Sequence, residues 1–358
     1  MYKAIRILAG MIGVVVVIVV LALFHRAWRQ HENARAYAIH TPNGIQESMF
    51  VKIGGIEQWV QIRGDDRDNP VILYLHGGPG NSETVLYPVF RTWEKHFTVV
   101  MWDQRGAGKT FGRNGTNERP LTMAQYVRDG VEMAEYLRRH LHKKRIILIG
   151  HSWGTGFGLM IAVARPDLFW AYVGTGQVVD IAEKETYIYN ETMKRLRAAH
   201  DEEGIRTLES VGPPPYRSNH DLEVERSWSE RYDIPAERDM RHHFTPMVAF
   251  APDFSLRDIY DLLYASRWSA QQLFAEEETF DARKCCMSFK LPVFIFNGDH
   301  DTITPSALIG PWFDAIRAPE KKFVVIEGAG HDAVLLEPDR FLGLLMRDVQ
   351  PLVVYSHG

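Results

Sequence analysis

The 358-residue chain has only two cysteines, and they are neighbours, Cys285 and Cys286. Such a pair cannot build a disulfide framework or supply most of a zinc site. Charge of one sign is also missing: 41 basic residues face 45 acidic ones, a net charge of -4. A general nucleic-acid binder carries a basic excess, so no nucleic-acid partner is expected. No internal repeat or low-complexity tract stands out. Hydrophobic residues make up 46% and charged residues 24%, which excludes wholesale disorder, collagen and coiled coil. The length suits one large α/β domain with an insertion, or two domains.

The mean hydropathy of -0.21 reads as soluble, but an average can hide one extreme. Ile7 to Phe24 is an unbroken apolar run with no charge. At about 1.5 Å per residue it spans roughly 27 Å, enough for a thin bilayer core. Lys3 and Arg6 precede it, and Arg26, Arg29 and Arg35 follow. A cleaved signal peptide needs small residues soon after the run. Here Phe24-His25-Arg26 follows, and Ala34-Arg35-Ala36 lies too far on. A core helix would show a polar face, and this run has none. The expectation is an uncleaved single-pass anchor over residues 1–24 and a polar tether over 25–44. Positive charge on both flanks leaves the orientation open.

From residue 45 the pattern changes to short apolar runs. Ser48–Ile53 and Ile56–Ile62 flank Gly54-Gly55, a hairpin signal. Val71–Leu75, Thr98–Trp102, Ile146–Ile149, Val293–Phe296 and Phe323–Ile326 read as buried strands of a mostly parallel sheet. Helical stretches at Met123–Leu141 and Thr155–Ala164 lie between strands, which implies a doubly wound α/β sheet. Residues 178–288 are charged, hold Trp228 and Trp268, and show no clear buried strand. They read as a helical cap inserted between core segments 45–177 and 289–358.

The chemistry starts at Gly150-His151-Ser152-Trp153-Gly154, a G-x-S-x-G with a strand before it and a helix after it. That context makes it a nucleophile elbow. Small flanking residues are needed because strand and helix backbones nearly touch. A serine hydroxyl needs a base, and on this fold the order is serine, acid, histidine. Asp299 and Asp301 follow one strand, and His331 follows the next. The spacing Gly298, Asp301, Pro305 favours Asp301 as the acid, with Asp299 the alternative. His151 should point away from the nucleophile. The oxyanion needs two backbone donors. Trp153 supplies one, and Gly78, in the loop His76-Gly77-Gly78-Pro79-Gly80, supplies the other.

His76-Gly77-Gly78-Pro79-Gly80, Trp102-Asp103-Gln104-Arg105-Gly106 and Gly150-His151-Ser152-Trp153-Gly154 together resemble the prolyl iminopeptidase family of α/β-hydrolases. The resemblance covers roughly residues 45–177 and 289–345. It implies an α/β-hydrolase core with a helical cap, a triad on Ser152, Asp301 and His331, and release of an N-terminal residue, usually proline, from peptides. Asp103 and Arg105 match a family signature and read as loop-structuring residues. The cap departs from the family: Ser227-Trp228-Ser229-Glu230 contains no Trp-Glu pair. Glu230 is the carried-over candidate for binding the substrate's amino group. Glu276, Glu277 and Glu278 are further candidates, but a solvated helix face accounts for them better.

These features point to a serine hydrolase working through an acyl-enzyme, with neither metal nor organic cofactor. Its partner is a small peptide or small acyl substrate. An aminopeptidase leads. An esterase, amidase or lactonase on the same fold is the alternative, and an inactive membrane-tethered binding protein is the reading from another class. Dehalogenase and epoxide hydrolase are disfavoured, because an aspartate would stand where Ser152 stands.

Overall fold

Eight strands form one sheet in the order β1-β2-β4-β3-β5-β6-β7-β8. The computed structural model describes residues 2–118 and 121–354; Met1 and residues 355–358, the ends of the expected anchor and core segments, lie outside them. The strands are β1 (Ile45–Ile53), β2 (Ile56–Gly64), β3 (Val71–Leu75), β4 (Thr98–Trp102), β5 (Ile146–His151), β6 (Phe169–Thr175), β7 (Val293–Gly298) and β8 (Lys321–Ile326). β1 and β2 pair antiparallel about Gly54-Gly55, and both glycines take positive φ, the demand of a tight hairpin turn. β2 also runs antiparallel to β4. Every pairing from β4 to β8 is parallel.

Parallel strands are covered on both faces, which is why they read as continuous apolar runs. β7 shows how the pleat divides them. Val293 and Ile295 join a core layer with Trp102, Phe157 and Tyr172. Phe294 and Phe296 point to the other face, with Tyr74, Trp93 and Phe341. The helices Met123–His140 and Trp153–Ala164 cover the first face.

Between β6 and β7 the chain forms helices, from Ile181–Ala198 to Ala282–Cys285, with no strand among the described residues. The longest of them, Leu256–Glu277, begins with a capping box in which Ser255 and Asp258 satisfy each other's backbone amides. A small separate core of Met193, Leu196, Leu208 and Trp228 holds the distal helices together.

The N-terminal helix runs without interruption from Tyr2 to Ala36. Among the described residues one helix, Ile5–Ala36, is long and apolar enough to cross a membrane, and none of its most apolar window is buried. Here the structure differs from the expected tether, because residues 25–36 are helical and docked. Arg26 donates to the carbonyls of Ala249 and Phe254 at 3.0 and 2.6 Å. Gln30 donates to Ala251 at 2.6 Å, and Asn33 to Phe250 at 3.0 Å. The carbonyls at the end of a helix lack intrahelical partners. Those at the end of the cap helix Met240–Ala249 find them on these polar side chains.

Candidate active site

Three loops meet above the C-terminal ends of the parallel strands, where open α/β sheets carry their sites. Ser152 sits between β5 and the helix Trp153–Ala164, with φ 49° and ψ -119°. A non-glycine residue at positive φ is strained, and the strain projects the side chain off the turn. The elbow is also sterically closed. A Cβ on Gly154 would come within 2.2 Å of the Leu75 carbonyl oxygen, and one on Gly150 within 2.8 Å of the Gly154 oxygen.

Ser152 Oγ lies 2.9 Å from His331 Nε2. His331 Nδ1 lies 3.1 Å from both carboxylate oxygens of Asp301. Asp301 accepts further bonds from the Ile303 and Thr304 amides and from the Thr304 hydroxyl, the last at 2.7 Å. Burial pushes the Asp301 carboxyl up, but the His331 ring and these donors outweigh it and hold it at about 2. An ionised Asp301 keeps the proton on Nδ1, leaving Nε2 to accept from the Ser152 hydroxyl. Asp299, the alternative acid, instead accepts the Gly328 amide at 2.8 Å. Thr304 carried no signal in the sequence.

The structure also adds residues around the loop of residues 76–80. Glu83 accepts from the Gly77 amide at 2.9 Å and from the Tyr74 hydroxyl at 2.6 Å. It also faces His151 Nδ1 at 3.1 Å. His151 therefore does not point into solvent: its ring centroid lies 5.4 Å from that of His331. Burial disfavours the His151 cation, but the Glu83 charge and hydrogen bond overcome it and push the ring up to about 9. Burial pushes Glu83 up, and His151 more than offsets this, leaving the carboxyl below its ordinary value. The pair is thus ionised at neutral pH. It fixes Gly77, one residue before Gly78. Gly78 and Trp153 both line the cavity with Ser152, and the first amides of a helix have no intrahelical acceptor.

Asp103 and Arg105 brace the neighbouring loop. Asp103 accepts from Ser82, from Thr84 at 2.8 Å and from the Lys109 amide at 2.8 Å. Arg105 pairs with buried Asp129 at 2.9 Å.

The cap closes over these loops. Asp233 accepts from Thr302, beside Asp301. Glu237 accepts the Asp332 amide, beside His331, at 2.9 Å. Burial and the Asp332 charge push the Glu237 carboxyl well up.

Beneath the cap lies a cavity of about 820 Å³ that reaches Ser152. Its wall carries Lys184, Glu185, Arg226, Glu230, Glu277 and Glu278. Glu185 is neutralised by Lys184 at 2.6 Å and Arg226 at 2.5 Å. The Glu277 carboxyl has no ion pair or hydrogen bond among the described residues, although its backbone carbonyl accepts from the Phe280 amide at 2.9 Å. Burial pushes it up to about 8; Lys184 pulls it down, and Glu185 and Glu278 add to the rise. Glu277 and Glu278 are therefore not on a solvated face, as the sequence pattern implied. They close the C-terminal end of the Leu256–Glu277 helix, where it borders the cavity. Glu230, the sequence-based candidate, also reaches the cavity wall.

No group of three or more metal-binding side chains occurs among the described residues. Cys285 and Cys286 have their sulfurs 2.9 Å apart at the return from cap to core and touch none of these groups.

Comparison with known proteins agrees with this architecture. A Bacillus subtilis (strain 168) protein named "Probable aminopeptidase YbaC" is 29% identical over 83% of this chain and 94% of its own length. The crystal structure of a proline iminopeptidase from Mycobacterium smegmatis superposes with a TM-score of 0.60 at 18% identity, covering 87% of this chain and 100% of that one. A crystal structure described as a membrane phospholipase A, a bacterial virulence factor, reaches a TM-score of 0.62 at 14% identity, covering 97% and 98%. At such identities these structures share the fold. The profile of the alpha/beta hydrolase fold matches residues 70–338, about three-quarters of the sequence, and the chain belongs to the α/β-hydrolase fold family.

Proposed function

We propose that this protein is a membrane-anchored serine hydrolase that releases the N-terminal residue of small peptides. The observation that carries the reading is the Ser152–His331–Asp301 chain of contacts at the floor of a cavity whose roof holds an unpaired carboxyl, Glu277. His331 takes the Ser152 proton as Oγ attacks the carbonyl carbon. The Gly78 and Trp153 amides hold the oxyanion. His331 then protonates the leaving amine, and a water molecule, deprotonated by the same ring, releases the acyl group. Asp301 stays ionised and stabilises the imidazolium.

Substrate choice falls to the cap. A free α-amino group is cationic below about pH 8. A half-buried carboxyl raised to about 8 regains its charge when such a cation approaches. Glu277 suits that task, with Glu278 and Glu230 beside it on the wall. The likeness to a protein named as an aminopeptidase supports the same reading. An ester or amide hydrolase would use the same floor without needing Glu277.

Retention of the N-terminal helix is supported by its docking. Cleavage near residue 25 would cut the helix beside the cap carbonyls that Arg26, Gln30 and Asn33 satisfy.

The test has two parts. A fluorophosphonate probe on the full chain in detergent should label wild type and spare Ser152→Ala; equal labelling of both would sink the serine mechanism. Proline and other aminoacyl arylamides are then compared with short-chain esters. Faster ester turnover, indifferent to Glu277→Gln, would replace the peptidase by the esterase.

A further inference from the structure

Outside the N-terminal helix, six large apolar side chains are strongly exposed among the described residues: Val163, Leu256, Tyr260, Leu263, Tyr264 and Val325. Four of them belong to one element, the cap helix Leu256–Glu277. Their spacing of i, i+4, i+7 and i+8 puts them on a single face within about 100° of arc. The opposite face, with Asp261, Ala265, Trp268 and Ser269, is buried. The helix is therefore apolar on its solvent side, where a globular protein places polar residues. Leu263 is 68% exposed and Leu256 56%.

The location says what covers this face. The apolar N-terminal run ends at Phe24, and the very next ring, His25, lies 5.6 Å from Phe250 of the cap. Arg26 and Gln30 are bonded to the Phe254 carbonyl, two residues before Leu256. No slack separates the end of the run from the start of the exposed face. From Leu256 to Leu263 is seven residues, about 10 Å along the helix. Tyr260 and Tyr264 stack at 6.0 Å, and Arg257 lies over Tyr260 at 5.2 Å. Tyrosines flanked by arginine are suited to the boundary between lipid and water. Arg267 continues the face one turn beyond Leu263.

The same helix forms a wall of the active-site cavity, which Leu263, Ser266 and Arg267 border on one side and Ser152 on another. We propose that the Leu256–Tyr264 face is a lipid-docking surface that lies in the membrane interface beside the N-terminal helix. The Leu263 border of the cavity then meets the bilayer surface, so that an amphiphilic substrate can enter with its apolar part still in lipid. This rests on the reading of the N-terminal run as a membrane span.

The test uses the full chain with Cys285 and Cys286 replaced by serine, reconstituted in phosphatidylcholine–phosphatidylglycerol vesicles that carry a nitroxide on the upper acyl chain. Single cysteines bearing an environment-sensitive fluorophore are placed by Leu263→Cys, Tyr260→Cys, Val15→Cys and Lys144→Cys. Lys144 is exposed at the start of β5, the end of the sheet away from the site. Strong quenching at positions 263, 260 and 15, at least threefold above position 144, is the expected result. Quenching at 15, with 263 and 260 no different from 144, overturns the docking face while keeping the anchor. Position 15 unquenched and 263 quenched keeps the docking face and removes the anchor. If 263 is shielded from lipid by a second copy of the chain, it matches 144 and the proposal fails.

Discussion

The floor of the cavity and its roof are built on different terms. The floor is made of strand ends and short loops whose residues are held by many bonds each: Asp301 by His331, Thr304 and two amides, Glu83 by three donors. The roof is a set of helices, the distal ones joined by a small apolar core of their own and the longest packed into the main core through Ala265, Trp268 and Leu273, carrying charges that partly cancel and partly stand alone. A rigid floor suits a reaction whose atoms must be placed within tenths of an ångström. The distal part of the roof, on its own core, can change its lining without disturbing that geometry. The difference teaches where chemistry and selectivity are stored, and substitutions can probe it from either side.

The largest effect should come from the floor. Asp301→Asn removes the charge that orients His331 and should lower kcat on the order of 10⁴-fold, whatever the substrate. A loss confined to one substrate class would mean that floor and roof are not separable.

Glu83→Gln comes next. It leaves the buried His151 ring with Asp332, 3.4 Å from Nε2, as its remaining ionic partner, a loss of about 3 kcal/mol, read as a fall in the denaturant midpoint. The pH dependence has a definite sign. His151 at about 9 when folded exceeds the ordinary value of about 6.5. Its contribution is complete below about pH 6.5 and is lost as pH rises through about 9. Wild-type stability should decline over that window, and Glu83→Gln should flatten the decline. Disturbance of Gly77 should lower kcat as well.

The roof prediction is narrower. Glu277→Gln should raise KM for substrates with a free amino group by roughly tenfold or more, matching about 1.5–3 kcal/mol for a hydrogen bond to a charged group. Ester turnover should not change. A carboxyl titrating at about 8 also predicts that wild-type KM for amine substrates worsens as pH falls below about 8, as Glu277 takes up its proton. A flat KM profile in steady-state kinetics would remove Glu277 from amine recognition.

The smallest effect tests whether the roof is held by its own local devices. Ser255→Ala breaks the capping box of the long cap helix and should cost about 1 kcal/mol. Hydrogen exchange should speed up in its first turn. The rate of Ser152 labelling should stay as it was.

Much of the floor is legible in the sequence because it depends on short-range sterics. The elbow needs glycines at 150 and 154 wherever a strand turns into a helix over a serine. Chain order alone brings His331 and the Asp299/Asp301 pair to adjacent strand ends. The choice between the two carboxylates needed the geometry of Thr304 and Gly328. Glu83 was invisible because its partner His151 lies 68 residues away and its worth comes from burial. Glu237 reaches the His331 loop across 95 residues. Glu277 was misread because three successive glutamates describe a solvated face unless the helix axis is known. The segment 25–36 was misread for a similar reason: its polar residues look solvated, yet they meet carbonyls more than 200 residues distant.

What the sequence determined by itself is therefore what period, run length and local sterics encode: a doubly wound sheet, an elbow with Ser152 at its tip, an apolar N-terminal run and a helical stretch inserted between two strands. Tertiary structure alone decided which carboxyls line the cavity with Ser152, which histidine is buried against carboxylates, and how the N-terminal helix is bonded to the cap. Those depend on desolvation and on contacts between residues far apart in the chain, and neither quantity is written in any short stretch of sequence.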